Sequence, residues 1–380
     1  MKKILVITSS LVSIYDQMVE LSNNYDIYGI YVFDRYCDLS YNTLKLCHIL
    51  PPKDVFSFAE IKTIIDYIKI MPTLLKVMYV AFKILIKENI KIIYAHWIIP
   101  SGYIAVIYKK IFNYLLNKKL IVFITARGSD IKICLNNKLF KNIILYTISQ
   151  ANMIITVNED IKNIIMSFRL EKNKIAVIYP GINIKKFKPI NKYILRRALN
   201  FQINDFIVIY VGNLIKLKNV DKLIKIISGL SRTSNISLII IGDGNEKQNL
   251  KKLVLTLKMN NVHFLGSIPN IIIPKYLSLS DVLVLPSKSE GLPISVQEAM
   301  ACGIPVIVTN VGGLSSIVIN NYNGYIVSSL NEIKDKLVNI IDNPDLKEKL
   351  GSNALLYARQ YLSLNNTISK TINIFEKYGT

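Results

Sequence analysis

An α/β protein built of two doubly wound parallel-sheet domains is what this sequence predicts, on three observations. Short apolar runs rich in β-branched residues recur along the chain, each followed by a turn and a longer segment with helical spacing. Runs without polar alternation belong to strands buried on both faces, which helices must cover, so the sheet is parallel. The pattern then restarts in the second half, and 380 residues, 51% of them hydrophobic, exceed what one core ordinarily organises.

In the first half the expected strands are residues 2–8, 27–33, 90–96, 120–125, 151–157 and 174–180. In the second they are residues 206–212, 236–244, 261–267, 281–287, 305–310 and 324–327, with helices over 219–230 and 245–259 between them. Pro180, Gly181 and Pro189 mark a linker around 182–193. The expected domains are 1–185 and 186–361. A last amphipathic segment, about 362–380, carries Ile368, Ile372 and Phe375 at helical spacing. Ligands of such folds bind at the carboxyl ends of the strands, here in a cleft between two facing sheets.

The 47 Lys and Arg residues outnumber the 26 Asp and Glu residues, a net charge of +21. Such a surplus attracts phosphates, whether of a nucleotide or of anionic lipid. The first 190 residues hold 26 of the basic and 13 of the acidic residues, and their lysines are interleaved with Tyr and Phe, so an anionic membrane surface is an expected partner. A nucleic-acid-binding protein is the rival from another class, yet no helix-turn-helix, zinc-finger or RNP-like pattern is present. Cys37, Cys47, Cys134 and Cys302 are scattered without metal-type spacing, which suits a reducing cytoplasm. The opening MKKILVITSS lacks a small-residue cleavage site and is taken as a first strand. Lysines interrupt the apolar stretch 71–93, leaving no run long enough to span a bilayer.

The stretch SEGLPISVQEAMACGIPV (289–306) sets Glu290 on a loop and Glu298 in or just after the first turn of a helix. An acid there complements the helix dipole, and a loop acid is ordinarily solvated. Alternatively, with Gly291 letting backbone come close to a ligand, both carboxylates point into one pocket.

The longer segment PSKSEGLPISVQEAMACGIPVIVTNVGG (286–313) resembles the signature of the retaining glycosyltransferases of family 4, with its two glutamates separated by seven residues. Tyr210-Val211-Gly212-Asn213-Leu214 with Lys218 and Asn219, Ile241-Gly242-Asp243-Gly244 and Val262–Gly266 are similar to that family's motifs in the expected order. So are His96–Gly102 and Thr125–Asp130 in the first half.

The resemblance implies a GT-B fold of two Rossmann-like domains and a nucleotide-diphosphate-sugar donor. It implies that Glu298 accepts hydrogen bonds from the ribose diol, and that Glu290 contacts hydroxyls of the transferred sugar beside the amides of Gly291 and Leu292. Lys218 and the Gly212 amide would face the departing diphosphate, and Gly242 would line the donor site. His96, at a strand end, is a candidate for contact with the sugar or acceptor. Arg127 and Asp130 form a candidate acceptor-side pair, as do Ser9 and Ser10 in the first strand–helix loop.

Two departures stand out: Asn213 occupies the place where the family usually has arginine, and Ser9-Ser10 replace glycines. No metal or other cofactor is expected, since Lys218 and helix dipoles oppose the diphosphate and no Asp-x-Asp motif appears. The family's favoured mechanism is front-face attack, so Glu290 is not half of a glycosidase carboxylate pair. The implied role is synthesis of a cell-surface polysaccharide or glycolipid from a saccharide or lipid-linked acceptor, at the inner face of the cytoplasmic membrane. A sugar-nucleotide epimerase, a phosphorylase or a silent nucleotide-sugar-binding protein are the alternatives on the same fold.

Overall fold

The computed structural model describes residues 2–8, 14–31, 44–49, 64–128, 131, 138–168, 170–231 and 235–379, with only the backbone at 48, 64–69, 138, 139 and 379. The chain divides into two compact units, Met1–Tyr179 with Asn365–Thr380, and Pro180–Leu364.

The first unit is a seven-stranded parallel sheet of β1 (Lys2–Thr8), β2 (Tyr25–Tyr31), β3 (Lys45–His48), β4 (Ile92–His96), β5 (Ile121–Ala126), β6 (Met153–Thr156) and β7 (Ile175–Val177). Their order is β3-β2-β1-β4-β5-β6-β7. The sequence reading lacks β3, because a four-residue edge strand, KLCH, holds too few apolar residues to register as a run. β4 is buried along its whole length, as a strand covered on both faces must be.

Helix Leu364–Gly379 also belongs to this unit. Its Phe375 meets the rings of Tyr25 and Tyr94 edge-on at 5.8 and 5.1 Å, and stacks on Phe123 at 4.7 Å. Thr367 Oγ1 donates to the Tyr179 carbonyl at 2.9 Å, just where the chain leaves the unit.

The second unit has six parallel strands, β8 (Phe206–Val211), β9 (Ile236–Ile241), β10 (Val262–Gly266), β11 (Val282–Leu285), β12 (Val306–Thr309) and β13 (Gly324–Val327). Their order is β10-β9-β8-β11-β12-β13. From β8 the chain winds outward to β10, and from β11 it winds the other way. Adjacent connections therefore diverge at β8 and β11, opening a crevice past the carboxyl ends of these two strands.

The opposite end of the same strands is closed by a buried charge cluster. Asp281, at the entrance to β11, accepts from Arg196 at 2.6 Å, Lys347 at 2.8 Å and the Ile207 amide at 2.8 Å. Arg196 also donates to the carbonyls of Leu279, Ile203 and Asp205. One carboxylate thus joins β8, β11 and the helices Lys192–Ala198 and Pro344–Tyr361.

Candidate active site

Past β8 the chain runs through residues 212–219, and past β11 through residues 286–293. Two hydrogen bonds join these loops. The Lys288 amide donates to the Leu217 carbonyl at 2.8 Å, and Asn219 Nδ2 donates to the Pro286 carbonyl at 2.9 Å. Asn219 makes this turn in the left-handed region (φ 51°), where asparagine is better tolerated than most residues, and helix Val220–Leu230 starts from it.

Joining the loops brings Lys218 Nζ within 2.6 Å of Glu290 Oε1. Ser287 Oγ donates to the same oxygen at 2.6 Å, and Thr309 Oγ1 holds the Ser287 carbonyl at 2.6 Å. The Glu290 side chain is 8% exposed and that of Lys218 18%, so each charge has given up much of its water for the other.

Glycine is required behind this carboxylate. Gly312 has φ +60°, and a Cβ there would stand 2.3 Å from the Glu290 carbonyl oxygen and 2.8 Å from that of Gly291. The next amide, of Gly313, donates to the Gly291 carbonyl at 2.7 Å. Gly312→Ala is therefore expected to push the Glu290 loop off its position, lowering kcat/KM by about 10²-fold, as misplacements near 1 Å do. Steady-state kinetics beside a melting curve checks this; wild-type turnover with normal stability would contradict it.

Gly242 plays a similar part under β8. A Cβ there would lie 1.9 Å from the Gly212 carbonyl oxygen, so the Gly212–Asn213 backbone rests directly on it. From within β8, the buried Tyr210 hydroxyl donates to the Asn213 carbonyl at 2.9 Å. Burial and the Glu290 charge both raise its phenol above the ordinary range, so it remains a donor.

Glu298 is the fifth residue of helix Ile294–Ala301, one step past the first turn, and is buried. Asn270 Nδ2 donates to its Oε1 at 3.3 Å. Leu292, ahead of the helix, is buried too. Burial first, and the Glu298 charge as well, push the Cys302 thiol up to about 12, so it stays protonated and is no nucleophile. Among the described residues no group of three or more His, Cys, Asp and Glu side chains is placed to hold a metal ion.

Two of the first-unit candidates, His96 and Arg127, meet at the end of β4. His96 is buried, its ring 4.4 Å from that of Tyr94 and its Nδ1 3.5 Å from Arg127 Nη2. The Arg127 guanidinium also lies over the Trp97 ring at 5.2 Å. Arg127 thus faces His96 and Trp97, while its expected partner Asp130, like Ser9 and Ser10, lies outside the described residues.

Burial, then the Arg127 charge, hold the His96 pKa well below the usual histidine value. The unfolded chain takes up this proton near pH 6.5 and the folded one does not. Stability should therefore fall as the pH drops below about 6.5, and His96→Gln should flatten that slope. Melting curves between pH 5 and 7.5 measure it; parallel slopes would contradict the assignment.

Ser287, Tyr210, Asn270 and Gly312 contribute to this arrangement without having been named as site residues from the sequence. Ser287 and Gly312 fall inside the quoted signature and Tyr210 inside the Tyr210–Leu214 motif, but their contacts, like that of Asn270, are not displayed by sequence order.

Comparison with known proteins gives two family matches. Residues 191–356 match the model of "Glycosyl transferases group 1", and residues 65–186 that of "Glycosyltransferase Family 4". An uncharacterised glycosyltransferase of Methanocaldococcus jannaschii is 30% identical over 281 residues, 72% of each chain. The UDP-Gal:alpha-D-GlcNAc-diphosphoundecaprenol alpha-1,3-galactosyltransferase of Escherichia coli is 34% identical over 199 residues, 48% of each chain. Sucrose-phosphate synthase from Thermosynechococcus elongatus matches 99% of both chains with a TM-score of 0.82 at 18% identity, a likeness of fold.

Proposed function

The chain belongs to the group 1 glycosyltransferases of family 4, with the GT-B fold, and from that premise we propose that it transfers a sugar from a nucleoside diphosphate sugar to an acceptor hydroxyl with retention of configuration. The observation that carries this reading is the Lys218–Glu290 contact at 2.6 Å, set where the β8 and β11 connections diverge. A donor diphosphate competes with Glu290 for the Lys218 ammonium, and the carboxylate so released accepts hydrogen bonds from sugar hydroxyls.

Glu298 takes the ribose diol, and the Gly291 and Leu292 amides face the donor. The Gly212 amide, expected at the diphosphate, is instead spent on the Ile241 carbonyl at 3.0 Å, so the start of helix Val220–Leu230 is what assists Lys218 there. Asn213 adds hydrogen-bonding capacity without charge, which concentrates the electrostatic work on Lys218. No step is assigned to a metal or other cofactor.

In the transfer, the acceptor oxygen bonds to the anomeric carbon on the face from which the diphosphate departs. As the carbon–oxygen bond to phosphate breaks, a phosphate oxygen receives the acceptor proton. His96 and Arg127 are assigned to the acceptor side, His96 as a neutral group, together with Asp130, Ser9 and Ser10. The activity of the Escherichia coli relative supports a nucleotide-sugar donor and a lipid-linked saccharide acceptor, and hence a role in cell-surface polysaccharide or glycolipid synthesis at the inner membrane face.

A thermal-shift screen of UDP-, GDP- and ADP-sugars tests the class. A ligand at a hundred times its Kd stabilises by about 2.7 kcal/mol, enough to raise Tm by several degrees. Proton NMR of the product then reads the anomeric configuration: the donor's own is expected, and the opposite one would overturn the retaining assignment.

A further inference from the structure

Helix Ile64–Lys87 carries two apolar sides. One is spent in the core, through Ile70, Val77, Ala81 and Leu85. The other, Met71, Leu75, Tyr79, Phe82 and Ile86, recurs every three or four residues and so forms one stripe along the helix. All five are exposed, Leu75 at 58% and Tyr79 at 59%. Helix Tyr103–Leu115 packs beside the stripe: its Tyr108 hydroxyl donates to the Met78 carbonyl and its Phe112 meets Phe82 at 6.1 Å. That helix ends in exposed Tyr114 and Leu115.

Lys76, Lys83 and Lys87 are exposed along one flank of the stripe, and Lys118 and Lys119 follow the second helix. Lys83 Nζ lies over the Tyr79 ring at 4.5 Å. No Asp or Glu occurs between Asp66 and Glu88. No helix among the described residues is long and apolar enough to cross a membrane. An apolar stripe edged by lysines lies in the plane of a bilayer surface instead, with aromatic rings at headgroup depth and ammonium groups among the phosphates.

The geometry points to this face as a docking surface for a bilayer rich in anionic lipid headgroups. A second copy of the chain is the less favourable occupant, because pairing two such faces would gather three lysines from each copy with no acidic residue between Asp66 and Glu88 on either helix to offset them. Docking here is independent of the donor chemistry, which lies in the second unit.

The test is flotation of the full chain with phosphatidylcholine vesicles, with and without phosphatidylglycerol. The wild type is expected to float with the anionic vesicles, and less so as salt rises. Leu75→Ser/Tyr79→Ser/Ile86→Ser should lower partitioning at least about tenfold through lost burial. Lys76→Glu/Lys83→Glu/Lys87→Glu should lower it about a hundredfold or more, since each lysine near such a surface is worth roughly fivefold. The thermal shift produced by nucleotide should be unchanged in both, showing that they fold. Failure of the wild type to float, or flotation of both variants like wild type, would overturn the proposal. So would a wild-type dimer in sedimentation equilibrium that the serine variant converts to monomer.

Discussion

Changing Glu290 to glutamine is expected to lower kcat for sugar transfer by about 10²–10³-fold, the loss that follows removal of one preorganised electrostatic partner of a transition state. The substitution keeps the shape of the side chain, so Ser287 still has an acceptor at its position. What disappears is the negative charge 2.6 Å from Lys218. In the proposed donor complex, that charge faces a sugar ring that becomes cationic as its bond to phosphate breaks. Binding of the nucleotide portion should hardly suffer, because Lys218 is relieved of a competitor for the diphosphate. The signature is a fall in kcat with KM within about threefold, which places the loss in the transition state. A rise in KM at unchanged kcat would assign Glu290 to ground-state binding instead.

The second large effect is on stability. Asp281→Asn should cost the second unit about 3–5 kcal/mol, because removing one member of a buried ion cluster leaves the remaining charges uncompensated. Arg196 is 2% exposed and cannot turn to water, and Lys347 and Lys192 converge on the same carboxylate. For a unit of this size the loss amounts to a fall in Tm of roughly 10 °C.

The pH dependence has a definite sign. Burial by itself would raise the Asp281 carboxyl, but Lys347, Arg196 and the Ile207 amide hold it below its ordinary value. Its contribution is therefore complete above the unfolded pKa of about 3.9 and is lost as pH falls through the folded value. Wild type and variant should differ most near neutrality and converge in acid. A constant difference down to pH 2 would show that the charge is not what stabilises.

Most of the architecture was legible because the interior strands announce themselves as runs of mostly apolar, buried residues, β8 and β9 being clear cases. β3 escaped because it sits at an edge and is four residues long. In the site, Glu290, Gly291 and Glu298 stand within nine residues, so a linear pattern can hold them. Lys218 and Glu290 are 72 residues apart, and only the pairing of β8 with β11 makes them neighbours. Ser287 and Tyr210 lie inside quoted motifs, yet the linear pattern does not show their roles, which are hydrogen bonds to Glu290 and to the Asn213 carbonyl. Asp281 was read as the first letter of a strand; its three cationic partners come from two helices at the far end of the sheet.

Isothermal titration of wild type, Glu298→Ala and Glu290→Gln with a nucleoside diphosphate and with the corresponding nucleotide sugar tests the central claim most directly. Glu298→Ala should weaken both ligands alike, by about tenfold or more, since each carries the ribose. Glu290→Gln should leave the affinities for both ligands within about threefold of wild type, because its loss falls on the transition state. Wild-type affinities for both ligands in Glu298→Ala, or selective loss of the nucleotide sugar in Glu290→Gln, would contradict it.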